Sequence, residues 1–306
     1  MAVFLALFLK LLPLYVLIGL GFFAGRKFRI PRDAVAFLLI YIIAPIVVFE
    51  GVRTVSLRGD TLVLPLVFLL LCSVLCGVFY LAASFFWRDA TKNLAAFASA
   101  DGNSGYFGIP AAIALFSPSI LGVIVLGSLG FLLFESTVGF FVLAKGNFTF
   151  RQSIEKVLRL PLLPAFVLGL LANVFHVGLP AGFDAAMTDV RGAYTVLGMM
   201  MIGLGLTGLP RRSMDLKLIG FTSVAKFVCW PLLMVGILLL DAHVLHFFST
   251  ESRHAMMLLS MIPLAVNTVA LSIIVKVHPD KAAFTVLVST IVALFYIPLV
   301  SAVLFP

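Results

Sequence analysis

The chain has 306 residues, 62% hydrophobic and 11% charged, with a formal net charge of +8. Such a composition cannot cover a water-soluble domain with polar groups, so the solvent is lipid. No sizeable stretch remains for a soluble domain.

Apolar runs of roughly 20 residues recur along the chain, the length a helix needs to cross about 30 Å of hydrocarbon. They predict spans at 3–25, 33–52, 62–86, 91–116, 120–144, 160–178, 189–209, 216–240, 253–275 and 282–304. The fold class is therefore an all-α membrane protein of about ten helices. The first run is too long for a secretory signal, and no small-residue cleavage site precedes Arg26, Lys27 and Arg29, so it reads as a mature helix.

Connectors alternate between two sides, and one set carries fifteen basic residues: Arg26, Lys27, Arg29, Arg32, Arg88, Lys92, Lys145, Arg151, Lys156, Arg159, Arg211, Arg212, Lys217, Lys276 and Lys281. The other set holds Lys10, Arg53, Arg58 and Arg253, while Arg191 and Lys226 fall within spans. Positive charge is retained on the cytoplasmic side. Both termini are thus expected outside, in a bacterial inner membrane. The basic excess is topological rather than a nucleic-acid or anionic-lipid footprint.

Cys72, Cys76 and Cys229 lie within predicted helices and read as packing residues, not a disulfide or soft-metal site. His243 and His246 read as solvated loop residues without a metal-ligand pattern.

The connector 145–159 divides the sequence into 1–144 and 160–306, each predicted to hold five spans with similar Pro and Gly punctuation. An odd number of spans per half inverts the second copy relative to the first.

In the fourth span, Asp101-Gly102-Asn103-Ser104-Gly105-Tyr106-Phe107-Gly108-Ile109-Pro110 places three glycines and a proline between apolar flanks. These residues break a helix at membrane depth. A break there persists only where protein, water or a solute satisfies the freed backbone. The ninth span holds the counterpart, Met261-Ile262-Pro263-Leu264-Ala265-Val266-Asn267-Thr268. If the two cross, half-helix N-termini suit a carboxylate and freed carbonyls suit a cation. The plainer alternative is two ordinary proline kinks with asparagines tying helices together.

Gly102-Asn103-Ser104-Gly105-Tyr106-Phe107-Gly108-Ile109-Pro110 resembles the fourth-helix segment of the auxin efflux carrier family, and Ile262-Pro263-Leu264-Ala265-Val266-Asn267-Thr268-Val269 resembles its ninth-helix counterpart. The resemblance extends over essentially the whole chain. It implies the crossover fold shared with bile-acid:sodium symporters, with a scaffold of helices 1, 2, 6 and 7 and a transport domain of helices 3–5 and 8–10. It further implies elevator movement within a homodimer. Substrates implied are organic acids such as malate and malonate for bacterial relatives, and indole-acetic acid for plant ones. By the same resemblance Asn103, Pro110, Pro263 and Asn267 line or shape the substrate site, with Ser104, Ala265 and Val266 in the same segments, and Gly105 and Gly108 permit close backbone approach. One departure is plain: plant carriers place ionisable residues on the third helix, whereas 61–87 has none of the family's ionisable residues there.

Ionisable groups at membrane depth default to a functional reading. Asp101 borders the first break, where it can titrate, bind a cation or cap the unwound segment. Glu135, beside Ser136 and Thr137, is the leading proton-coupling candidate. It competes with a reading as a neutral acid bonded between helices. Lys226, midway along the eighth span, either pairs with a carboxylate, attracts an anionic substrate, or snorkels. Glu50 reads as an interfacial partner of Arg53.

These features favour a secondary transporter of a small organic carboxylate, coupled to protons or to membrane potential. Sodium coupling is the alternative, with Asn103, Ser104, Asn267 and Thr268 as oxygen ligands. A channel or membrane sensor is the reading from another class. No enzyme motif, metal cluster or cofactor loop is found.

Overall fold

The computed structural model describes residues 2–54, 59–109, 111–112, 116, 118–159, 161–180, 182–207 and 214–304. The described residues are 84% helical and form no strand. In order come α1 (Ala2–Phe28), α2 (Arg32–Thr54), α3 (Asp60–Ser84) and α4 (Thr91–Ala100). Helix α5 comprises Pro118–Phe134, a π turn at Glu135–Gly139 and Phe140–Ala144. Then follow α6 (Phe150–Arg159), α7 (Leu162–Val174), α8 (Phe183–Gly205), α9 (Leu216–Leu245), α10 (Thr250–Met261), α11 (Asn267–Val275) and α12 (Pro279–Leu304). Among the described residues, five helices are long and apolar enough to cross a membrane: Arg32–Thr54, Asp60–Ser84, Val123–Ala144, Leu216–Leu245 and Pro279–Ser301.

Several boundaries differ from the sequence reading. Helix α8 starts at Phe183, well before residue 189, because it continues through exposed polar turns that an apolar pattern leaves out. Helix α7 is shorter than 160–178. It closes near Asn173, whose amide donates to the carbonyls of Val52 and Arg53 (2.9 Å each) and so caps the end of α2. Helix α9 runs beyond residue 240 through a π turn that His246 ends in a left-handed conformation, φ 50°.

Prolines set the local irregularities. Pro231 in α9 has no N–H for the Phe227 carbonyl, and the Tyr296 hydroxyl of α12 donates to that carbonyl instead, at 2.9 Å. The neighbouring π turn, Ala225–Cys229, widens the helix at the level of Lys226.

Helices approach through small residues, as lipid-embedded helices do in the absence of a hydrophobic drive between them. Helix α1 packs on α8, where a Cβ at Gly203 would lie 2.0 Å from the Ile18 carbonyl oxygen and one at Gly21 2.2 Å from that of Met200. Gly169 of α7 sits against the backbone of Phe49 in α2, and Gly130 of α5 against Phe68 and Pro65 of α3. Helices α3, α4 and α5 pack together, α10 lies on α5, and α11 lies on α12. The Glu50–Arg53 pair forms as expected, at 2.8 Å, with both side chains largely buried. The three cysteines are free thiols. His243 and His246 are exposed, and no metal-holding cluster occurs among the described residues.

Candidate functional site

Helix α4 stops at Ala100 because Asp101 turns to an extended conformation (φ −94°, ψ 167°), its carboxylate accepting the Gly102 N–H at 2.7 Å. In an unbroken helix the Asn103 N–H would donate to the Ser99 carbonyl. It donates instead to the carbonyl of Pro263, at 2.8 Å, and the Ser99 carbonyl is taken by the Trp230 indole N–H, also at 2.8 Å. The chain then re-coils through a wide turn, Ser104–Gly108, with Gly108 N–H bonding to the Asn103 carbonyl at 2.9 Å.

The second gap has the same logic. Helix α10 ends at Met261, Ile262 is extended (φ −64°, ψ 150°), and α11 resumes at Asn267. Leu264 N–H, which has lost its own helical acceptor, donates to the Ser289 hydroxyl of α12 at 3.1 Å. The Pro263 carbonyl, freed by the same interruption, is the acceptor for Asn103. Each gap therefore supplies a partner the other lacks. Asn103, Pro263 and Leu264 are buried, so leaving these groups unpaired would cost about 1–3 kcal/mol apiece. The expected breaks are present, and their backbones meet where the Asn103 N–H bonds to the Pro263 carbonyl.

Above this crossing lies a polar chain built from four helices or gaps. Asp101 and Glu135, 0% and 5% exposed, have their carboxyl groups in hydrogen-bonding contact. The Asp101 Oδ2 atom is buried and receives no N–H or hydroxyl donor. A carboxyl–carboxyl hydrogen bond requires a proton on one of the two. The Asn267 amide donates to Glu135 Oε2 at 2.8 Å and reaches the Tyr194 hydroxyl of α8 at 3.1 Å. Glu135 occupies the π turn of α5, where the extra residue rotates its side chain off the regular helical face.

Lys226 lies on the other side of the first gap. Its side chain is 0% exposed, and its ammonium has neither a salt bridge nor a hydrogen-bond partner. The charge rests over the Trp230 ring (4.5 Å to the centroid) and the Phe131 ring (5.4 Å). The expectation that Lys226 pairs directly with a carboxylate is therefore corrected. Snorkelling is also excluded, since the π turn and the two aromatic rings hold the chain inside the bundle.

A cavity of about 650 Å³ sits against the crossing. Asn103, Ser104, Gly105, Glu135, Ala265, Val266 and Asn267 line it, with apolar walls from Val47 and Val48 of α2 and Val125, Leu129 and Leu132 of α5. Thr54 and Arg191, both exposed, stand at its rim, while Glu135 and Asn267 form a buried floor. A small organic acid has room there, with an apolar body between the walls and polar atoms at the floor.

Of the predicted site residues, Asp101, Lys226, Gly108 and Pro263 lie behind the cavity wall rather than on it. Pro110 falls outside the described residues. The close-approach assignment also changes. A Cβ at Gly105 would meet nothing within 4 Å and one at Gly108 only ordinary contacts from 3.6 Å, whereas one at Gly102 would lie 2.8 Å from both Ile262 Cδ1 and Lys226 Nζ. Gly102 is the residue that lets the gaps nest, because its side faces the second gap while Gly105 faces the cavity.

Sequence reasoning missed Tyr194, Arg191 and Ser289. The first two were detectable as Arg191, Tyr194 and Thr195 on one face of their helix, at i, i+3 and i+4. Ser289 carried no such signal. No family model matches the chain, and no curated protein matches it.

Proposed function

We propose that the chain is a secondary transporter of a small organic anion. The observation that carries this reading is the pair of mutually completing helix gaps at the floor of a cavity that opens at one end. A floor of this kind supports binding from one side, and the close small-residue contacts of α1 with α8, α2 with α7 and α3 with α5 support two groups that each hold together as a rigid body. On this reading the chain is a bacterial member of the auxin efflux carrier family, with about ten spans in two inverted five-helix repeats. Helices α1, α2, α7 and α8 would be the scaffold, and α3–α5 with α9–α12 the moving transport domain of an elevator, in a homodimer. With positive connectors inside, the rim at Thr54 and Arg191 faces the periplasm, as do both termini.

Protons are favoured over sodium as the coupling ion. Two acids in mutual hydrogen-bond contact, with an amide N–H directed at one of them, offer a proton a place and oppose a metal cation. The test is a thermal-shift screen of mono- and dicarboxylates on the purified protein, repeated with Asn103→Ala and Asn267→Ala. Stabilisation by a carboxylate that both substitutions weaken is expected. Binding retained in both would reject the site.

A further inference from the structure

Three buried ionisable groups surround the first gap: Glu135 meets the cavity at its floor, while Asp101 and Lys226 are fully enclosed behind it. Asp101 and Glu135 touch each other, while Lys226 stands behind Gly102 with its charge on two aromatic faces. The other titratable groups facing them are Cys72 and Cys76 of α3 and Tyr194 of α8. Arg191 at the rim is solvent-exposed and screened.

Net charge in such an interior costs several kcal/mol per ion. With both acids ionised and Lys226 charged, the cluster carries one net negative charge. With both acids protonated it carries one net positive charge. A single proton between the acids makes the sum zero, and it also supplies the hydrogen that the carboxyl–carboxyl contact requires.

We propose that Asp101, Glu135 and Lys226 form one neutral proton-binding unit. At rest the acid pair shares a single proton against the Lys226 charge. A second proton enters with a negative charge brought to the cavity floor by substrate, one proton per monoanion. The second half of this statement rests on the transport reading; the first does not. Lys226 is a positioning residue here: it sets the number of protons the pair holds without touching substrate. The favoured substrate class is consequently the monovalent organic anion, moved without net charge.

The test counts protonated buried carboxyls by infrared spectroscopy of the C=O stretch on the full-length protein in lipid nanodiscs near pH 7. The expected counts per chain are one for the unsubstituted protein, zero for Asp101→Asn and for Glu135→Gln, two for Lys226→Met and one for the charge-conserving Lys226→Arg. A count of zero or two in the unsubstituted protein overturns the unit. So does an unchanged count in Lys226→Met when that variant melts like Lys226→Arg. Carboxyl-¹³C-labelled propionate, lactate and benzoate are then added. For any of them that raises the melting temperature, the band doubles if the linkage holds and stays constant if it fails. Should none stabilise the protein, the transport reading fails while the anion-free counts still decide the unit.

Discussion

Replacing Gly102 by alanine tests the nesting of the two gaps. The added Cβ would stand 2.8 Å from Ile262 Cδ1, 2.9 Å from Ile262 Cγ1 and 2.8 Å from Lys226 Nζ. Carbon atoms pack at about 3.5–4.0 Å, so the methyl group needs roughly 1 Å of clearance that the crossing does not have. Two of the obstructing atoms are side-chain ends, which can give way, but both side chains are enclosed. Overpacking of this kind costs about 1–3 kcal/mol. At about 2–4 °C per kcal/mol for chains of this order of size, the melting temperature should fall by several degrees. Gly105→Ala, three residues away in sequence and facing open space, should leave it within a degree or so on the same scale. Melting is followed in detergent with a thiol-reactive fluorophore on a Cys229→Ser background, since Cys229 is partly exposed while Cys72 and Cys76 are fully buried and become reactive only on unfolding. An equal fall in both variants, or none in Gly102→Ala, would refute the claim that the gaps nest through this residue.

Gly203→Ala should be more damaging still, because its Cβ would meet backbone atoms, the Ile18 carbonyl at 2.0 Å and the Phe22 amide nitrogen at 2.4 Å; loss of the monodisperse peak in size-exclusion chromatography would report it, with Gly192→Ala, which meets nothing within 4 Å, as the control. At the start of α9, Asp215 caps Leu218 N–H (3.0 Å) and pairs with Lys281 (2.9 Å). Burial opposes its ionisation, but the Lys281 hydrogen bond, the backbone N–H groups and the Lys281 charge outweigh this and hold its carboxyl below the usual range. A folded value below the unfolded one gives stability that is complete above about pH 4 and is lost as pH falls through the folded value. Asp215→Asn keeps the cap, since Asn caps as well as Asp, but loses the charge facing Lys281. It should therefore be less stable than the unsubstituted protein at pH 7 by about 0.5–1 kcal/mol, and the gap should close on acidification; a gap independent of pH would sink this assignment. Arg191→Gln should weaken binding of a stabilising carboxylate roughly two- to fivefold, the worth of an exposed charge, with the difference fading at high salt in thermal-shift titrations.

The membrane class was legible because 62% hydrophobic residues admit no other solvent. The two gaps were legible because Gly and Pro act on the backbone locally, whatever surrounds them. Asp101, Glu135 and Lys226 stood out because a charge in an apolar run is conspicuous at any register. What the residues do to one another was not readable. The contact of Asp101 with Glu135 depends on a π turn that no periodicity announces, and the Asn267 bond to Glu135 joins positions 132 residues apart. Gly102 and Gly105 look equivalent in sequence. Only the direction of the second gap makes the first tight and the second open. Lys226 gave no hint of its aromatic bed, since Trp230 is one helical turn away but Phe131 comes from another helix.

The bond from Asn103 to Pro263 also sets an order of assembly. The first interrupted segment reaches the bilayer with a backbone donor whose acceptor has yet to be synthesised, roughly 160 residues later; at about 5–20 residues per second that is an interval of roughly 8–30 s. Through that interval water, lipid headgroups or the insertion machinery must satisfy the donor. The N-terminal half is thus committed to an incomplete fold that its C-terminal half finishes from outside.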